Sequence, residues 1–263
     1  MTDALNYYPK YFDALILRAK ILSKLHRYYD ALEDLNKSLK IEPKNAQSLI
    51  AKADCLRALN QHQDAIKIYT ELLESGWDSE VVLKRAIGHI ENNGPQEALL
   101  DLNRLIQRTP NNSEAYLFKG LAFSKMKNYN EAILAYEQAM KFNSSRKATT
   151  KALYEVSKLK IELGDYYGAS YTLERAATLD VDQKVIDKLK IFTEGATAIM
   201  KKKFKRGIES MNYLTRKEHL NEQIRPLLYS FRAYAHFCQC KFLNALNDLN
   251  ALQKLGFSCD PAS

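Results

Sequence analysis

The segment AYLFKGLAFSKMKNYNEAILAYEQA, residues 115–139, sets two small residues, Gly120 and Ala132, twelve positions apart. Six more pairs with this separation occur along the chain, and every member is Ala, Gly or Ser. These pairs are Ala19 and Ala31, Ala53 and Ala65, Ala86 and Ala98, Ser157 and Ala169, Gly195 and Gly207, and Ala233 and Ala245. Their second members recur every 33 to 38 residues. Such a period predicts a stacked helical array.

The small residues indicate close helix crossings, because a larger side chain there would clash with the neighbouring helix. Four positions after each second small residue stands a large apolar residue, such as Leu35 or Tyr136, on the same helical face. Three positions before it stands an aromatic residue, His or Pro, which is typical of a helix junction. Each period is therefore predicted to be two antiparallel helices, A and B, and the fold class is all-α.

Residues 115–139 fill almost every signature position of a tetratricopeptide repeat, including Gly120, Ala132 and Tyr136, and the segment resembles that family. The other periods resemble it less completely, but together the resemblance extends over nearly the whole chain. It implies a right-handed α-solenoid, a superhelix of antiparallel helical hairpins. The same resemblance implies that the A helices line a concave groove.

We expect a single array over residues 1–263 with about seven repeats. The repeats are expected near residues 12–44, 46–77, 79–111, 113–145, 150–182, 184–218 and 225–259. Residues 1–9 have the spacing of the end of a preceding helix, which favours a segment of a longer array over a native start with a short first helix. The last three periods are three or four residues longer than the others, which predicts longer helices or looser joints there.

Composition points to an intracellular protein. No stretch approaches the roughly 18 consecutive apolar residues of a membrane span, and the first ten residues lack the pattern of a secretory signal. The 4 cysteines are too few and too scattered for a disulfide framework, which fits a reducing compartment. We expect a cytoplasmic localisation, which includes a cilium or the cytoskeleton as alternatives, and the nucleus is less favoured.

No arrangement of residues suggests catalysis. The sequence has no Gly-rich phosphate loop, no HExxH or GxSxG motif and no set of metal ligands at a productive spacing. We therefore predict no enzyme activity, no metal and no cofactor. A rigid array of helical hairpins is instead suited to binding other proteins, as a scaffold or adaptor within a larger assembly.

The predicted partner surface consists of A-helix positions that do not face helix B, most of them apolar. They are Ile16, Leu17, Ile50, Leu83, Ile87, Leu117, Phe118, Leu121, Tyr154, Phe192, Phe231, Tyr234 and Phe237. An apolar groove suits a partner helix or an extended peptide with hydrophobic anchors. The alternative is that many of these side chains pack between adjacent repeats, since monomers seldom expose large apolar patches.

The family's known clamp for chaperone C-terminal tails is absent. Members with that clamp carry Lys, Asn, Asn, Lys and Arg at fixed A-helix positions. The resemblance places those positions here at Ile16, Lys20, Ala51, Glu80 and Lys84. A chaperone-tail adaptor is therefore disfavoured.

The net charge of +8 comes from the second half of the chain. Residues 1–140 hold 18 basic and 18 acidic residues, whereas residues 141–263 hold 21 and 13. The densest basic run comprises Lys201, Lys202, Lys203, Lys205 and Arg206, at a predicted turn between helices where solvated lysines are common. It offers an alternative function, docking of an acidic protein tail or, less favoured, nucleic acid. A third alternative is a purely structural strut.

Overall fold

The computed structural model describes residues 12–142, 146–177, 179, 183–216 and 224–256. Every regular element in these ranges is a helix, which confirms the predicted all-α class. The chain divides into two compact units, unit 1 (Met1–Phe142) and unit 2 (Asn143–Ser263). Within the described ranges, no helix is both long enough and apolar enough to span a bilayer.

Within the described ranges, unit 1 has four helical hairpins and unit 2 has three. The helices of unit 1 are α1 Phe12–Lys24, α2 Tyr28–Ile41, α3 Ala46–Ala58, α4 His62–Glu74, α5 Ser79–Glu91, α6 Pro95–Arg108, α7 Ser113–Lys125 and α8 Tyr129–Phe142. Those of unit 2 are α9 Arg146–Glu162, α10 Tyr166–Ala177, α11 Gln183–Met200, α12 Phe204–Thr215, α13 Ile224–Cys238 and α14 Phe242–Lys254. Within each unit every helix packs against the next, and A helices also contact one another, as α1 contacts α3 and α11 contacts α13.

Every described B helix begins at the position that the sequence predicts for the helix junction. The aromatic residue, His or Pro three positions before the second small residue is the first residue of α2, α4, α6, α8, α10, α12 and α14. The A helices of unit 2 have 17, 18 and 15 residues, compared with 13 for each A helix of unit 1. The longer periods of the second half therefore correspond to longer A helices, as expected.

The turn between helices A and B has the same backbone geometry in all seven hairpins. One residue per turn takes a left-handed conformation, with φ of 58° to 77°. The next residue donates its N–H to a carbonyl five positions earlier, for example from Asn128 to Phe123 at 3.0 Å. This is a Schellman-type helix end, which usually places glycine at the left-handed position. Only one of the seven A-to-B turns uses glycine, at Gly164.

Replacing Lys127 with glycine is expected to stabilise the protein by about 0.5–1 kcal/mol, because an L-residue at φ 61° is strained and glycine is not. Gly164→Ala, at φ 77°, is the matched opposite and is expected to cost about 1 kcal/mol. No neighbouring atom lies within 4 Å of the added Cβ at Gly164, so that loss would come from the backbone alone. Urea denaturation measures the change in the free energy of unfolding for both variants. A change of the same sign in both would contradict the explanation by backbone strain.

The fourteen small residues form the helix crossings, and all of them are buried. A Cβ added to Gly120 would lie 2.8 Å from ring atoms of Tyr136, the large residue one turn beyond Ala132. Six of the seven large residues are at most 1% exposed, and they are Leu35, Tyr69, Leu102, Tyr136, Leu173 and Met211. The seventh, Leu249 on α14, is 40% exposed.

In three hairpins an Arg–Asp ion pair, with a buried carboxylate and a partly exposed arginine, joins helices A and B, and the sequence did not predict it. Arg18 pairs with Asp34, Arg85 with Asp101 and Arg232 with Asp248, each from helix A to helix B across sixteen positions. In the pair of the third hairpin, Arg85 donates to both carboxylate oxygens of Asp101, at 2.8 and 2.6 Å. Such two-point contacts fix geometry as well as charge.

Two of these three arginines also donate hydrogen bonds to the preceding hairpin. Arg85 donates to Thr70 Oγ1 of α4 at 3.3 Å. Arg232 likewise donates to Asn212 and Thr215 of α12, at 3.0 and 3.1 Å. Each of these two arginines therefore holds three helices together.

Candidate functional site

The predicted groove residues differ widely in exposure. Ile16 and Phe192 are buried, so their side chains are closed to a partner in this structure. Leu17, Tyr234 and Phe237 are exposed. The remaining eight are half-buried, and they are Ile50, Leu83, Ile87, Leu117, Phe118, Leu121, Tyr154 and Phe231.

Several of the half-buried residues pack between hairpins. Leu83, Phe118 and Leu121 lie against the core cluster that contains Ala86 and Leu102. In unit 2, the Phe231 ring meets the rings of Tyr166 and Phe192 edge-on, with centroids 4.9 and 6.2 Å away. These contacts favour the alternative reading for the four residues, since their buried faces serve the stacking of the array.

A recess of about 800 Å³ opens along α1, α3 and α5, the first three A helices. We call it the unit 1 groove. Its lining residues are Lys20, Ile21, Ser23, Lys24, Leu25, Gln47, Ile50, Ala51, Asp54, Glu80 and Lys84. Of the predicted groove residues, Ile50 alone is among them.

The apolar wall of the groove comes mainly from α1. Ile21 is 44% exposed and Leu25 is 62% exposed, and Ile50 faces them from α3. Leu17, Ile21 and Leu25 recur every four positions, which places Leu17 and Ile21 on one face of α1 and Leu25 in the turn that directly follows it. Leu17 alone of these three is among the predicted groove residues, although the four-residue spacing is a signal in the sequence that points to Ile21 and Leu25 as well.

A charged network closes one side of the groove. Asp54 accepts hydrogen bonds from the Tyr69 hydroxyl and from Lys84 Nζ, both at 2.6 Å. Burial, reinforced by the Asp54 carboxylate, raises the pKa of Tyr69, so the phenol stays protonated and keeps donating. Glu80 lies 3.5 Å from the same Lys84 nitrogen. The charge of Lys84 is thus matched within the protein.

The opposite rim of the groove is positive. Lys20 and Lys24 are exposed on α1, and neither forms an ion pair with any residue that the structure describes. The groove therefore combines an apolar wall with unmatched positive charge. That combination suits a segment with an apolar side chain next to a carboxylate.

Four of the five positions of the chaperone-tail clamp line this groove, namely Lys20, Ala51, Glu80 and Lys84. Glu80 has the opposite sign to the lysine of the clamp, and Asp54 already engages Lys84. The fifth position, Ile16, is buried. The geometry thus gives the same reason as the sequence to disfavour a chaperone tail.

The predicted basic run lies in unit 2, on the turn between α11 and α12 and the first turn of α12. All five of its side chains, those of Lys201, Lys202, Lys203, Lys205 and Arg206, are exposed. They lie on the edge of the hairpin, where the chain passes from helix A to helix B.

Comparison with known proteins identifies the family. A tetratricopeptide repeat family profile matches residues 4–80, and a second one matches residues 113–146. This chain is a tetratricopeptide repeat protein. The repeat protein is also 33% identical over 92 residues to the SGT1 homolog of rice, Oryza sativa subsp. japonica. That match spans 35% of this chain but only a quarter of the rice protein.

Solved structures with the same fold agree with this assignment. The repeat protein superposes on a tetratricopeptide repeat protein from Parabacteroides merdae with a TM-score of 0.61, 18% identity and 94% of each chain covered. It matches PilF of Pseudomonas aeruginosa with a TM-score of 0.63 and 19% identity, over 78% of this chain and 90% of that one. It also matches YrrB, which is described as a tetratricopeptide repeat protein with an unusual peptide-binding site. That match has a TM-score of 0.51 and 17% identity, and it covers 70% of this chain and 94% of YrrB. These likenesses confirm the predicted solenoid of helical hairpins.

The family assignment carries a general function. Tetratricopeptide repeat proteins generally mediate protein–protein interaction, and the fold is typically a non-catalytic scaffold. The tetratricopeptide repeats of this chain therefore belong to a class of protein-binding modules.

Proposed function

We propose that this chain is a non-catalytic scaffold of a larger intracellular assembly, and that the unit 1 groove captures a helix or an extended segment of a partner protein. The observation that carries the proposal is the apolar wall of the groove, where Ile21 and Leu25 stay exposed beside Ile50. Burial of apolar surface contributes about 25 cal/mol per Å², so these side chains gain from being covered.

The size of the groove suits a peptide segment. Its volume of about 800 Å³ lies within the range of about 300–1,000 Å³ that is usual for small-molecule pockets, which is room for a few side chains of a partner segment. It runs across three A helices, so a partner would contact several repeats at once. The description of YrrB as a peptide-binding repeat protein supports this use of the fold by analogy.

The charge of the groove limits which partner segments fit it. The Asp54–Lys84 pair is internally matched, whereas Lys20 and Lys24 are exposed. A partner with a carboxylate next to its apolar anchor would place that carboxylate near these two lysines. The preferred segment therefore carries one or two apolar residues flanked by Asp or Glu.

Selection from a displayed peptide library tests this proposal with the full chain as bait. We expect enrichment of peptides that combine aliphatic or aromatic residues with Asp or Glu. Ile21→Asp should weaken a selected peptide at least about tenfold in calorimetric titration, because the carboxylate removes apolar contact and repels the acidic residue.

Leu100→Asp is the matched control, because Leu100 is also apolar and exposed in unit 1 but lies on helix α6, outside the groove. It should leave the affinity within about twofold, because surface sites away from the contact contribute little. Equal affinity of the parent and Ile21→Asp would overturn the groove assignment. Failure to enrich any peptide would favour the structural-strut alternative instead.

A further inference from the structure

The turn between α11 and α12 concentrates positive charge on one edge of unit 2. Within six consecutive residues, Lys201 to Arg206, five are Lys or Arg, and all five are exposed. We call these five residues the basic edge. Four of them line a shallow recess of about 580 Å³ together with Phe204, Glu209 and Gln239.

The charges of the basic edge are unmatched inside the protein. Across the ranges that the structure describes, no member of the edge forms an ion pair. Glu209 is the single carboxylate among the residues that line the recess. Some exposed cations of unit 1 are paired instead, since Arg27 pairs with Asp30 and Lys37 with Glu33.

Positive charge is not a general feature of these hairpin turns. The residue just before the second small residue is acidic in all four hairpins of unit 1, at Asp30, Asp64, Glu97 and Glu131. In α12 this position holds Arg206, and the first turn of α12 contains no acidic residue. A carboxylate at one register position is thus replaced by a cation, which concentrates the charge further.

The described residues that line the recess do not form the series of aromatic faces that a nucleic-acid strand stacks on. Phe204 is the one aromatic residue among those lining the recess, and it is half-buried with its ring edge-on to Tyr234 at 6.4 Å. Lys201 lies over the ring of Tyr167, 5.7 Å from its centre. An extended chain of carboxylates needs no stacking and matches the cations directly.

We propose that the basic edge is a second docking surface, separate from the unit 1 groove, and that it takes an acidic peptide segment with several carboxylates within about six residues. An exposed ion pair contributes little by itself, so several must form together. Binding at such a surface is sensitive to salt, because exposed charges are screened within about 8–10 Å at physiological ionic strength.

Fluorescence anisotropy with a labelled peptide of about ten residues, half of them glutamate, tests the proposal on the full chain. We expect binding at low salt that weakens by about tenfold when the salt concentration is raised from about 50 to 200 mM. The triple variant Lys202→Glu, Lys203→Glu and Lys205→Glu should weaken binding at low salt by more than about tenfold. The corresponding glutamine variants should give a smaller loss, and they serve if charge reversal disturbs folding.

The matched control reverses three exposed cations elsewhere in unit 2, Lys151→Glu, Arg216→Glu and Lys254→Glu. It changes net charge by the same amount, so it should keep the peptide affinity within about twofold if the site is local. Ile21→Asp should also leave this binding unchanged, which separates the basic edge from the unit 1 groove.

Three outcomes would overturn the proposal. One is no binding at low salt, and another is an equal loss in the control variant, which would reveal only the overall charge of the protein. The third is tighter binding of a single-stranded oligonucleotide or of vesicles with anionic lipid, lost in the triple variant, which would assign the edge to a different partner.

Discussion

Ala132→Phe is expected to destabilise the protein by about 1–3 kcal/mol or more, because a ring cannot fit at the crossing of α7 and α8. Ala132 is completely buried on α8, and Tyr136, one turn further along that helix, already fills the space beside Gly120. Urea or thermal denaturation followed by circular dichroism measures the loss.

Leu134→Phe is the control for this overpacking. Leu134 lies on the same helix but is 60% exposed, so the same side chain meets solvent there. We expect a change within about 0.5 kcal/mol, as for most surface substitutions. If the Ala132→Phe variant unfolds at the same urea concentration and temperature as the parent protein, the small residues do not mark tight helix crossings.

Asp101→Ala is expected to cost about 3 kcal/mol, the lower end of the range for a buried ion pair, because it leaves the largely but not fully buried Arg85 charge without its carboxylate. Asp101 is only 4% exposed, and Arg85 depends on it for both short contacts. The remaining contact of Arg85, to Thr70 at 3.3 Å, carries no opposite charge. Equilibrium urea denaturation of the single variant measures the effect.

Two comparisons separate the buried charge from general loss of contact. Glu33→Ala removes the exposed partner of Lys37 and should cost less than about 1 kcal/mol. Replacing both members, Arg85→Met with Asp101→Leu, should recover most of the stability, because a well-packed apolar pair can substitute for a buried ion pair. A double variant as unstable as Asp101→Ala would contradict this explanation.

Much of the fold could be predicted from the sequence because helix packing repeats a local rule. Each described hairpin has a small residue at the position of Ala132 and an aromatic residue, His or Pro at the position of Tyr129. The structure buries the first and begins a helix at the second. The Arg–Asp pairs could not be predicted in this way. Pairs with this sixteen-residue separation are seen in three of the seven hairpins that the structure describes, and the separation acquires meaning only once helices A and B face each other.

The candidate site was less predictable than the fold. A side chain on the A-helix face can pack against a neighbouring hairpin, as Phe118 does, or face solvent, as Leu17 does, although both stand two positions before the first small residue of their hairpin. Residue type and spacing are the same for both outcomes. The predicted groove residues are consequently a mixture of buried, half-buried and exposed side chains. The basic run could be located from the sequence, because Lys and Arg at a turn between helices remain exposed whatever the neighbouring helices do.

The sequence by itself determined the all-helical class, the hairpin period, the starts of the B helices and the place of the basic edge. These depend on short-range spacing, which a helix converts into a fixed face. Only the tertiary structure decided which apolar side chains are consumed between hairpins and which, such as Ile21 and Leu25, remain open in the unit 1 groove. The physical reason is that exposure depends on the distance to neighbouring helices, and that distance is set by the packing of residues remote in the sequence.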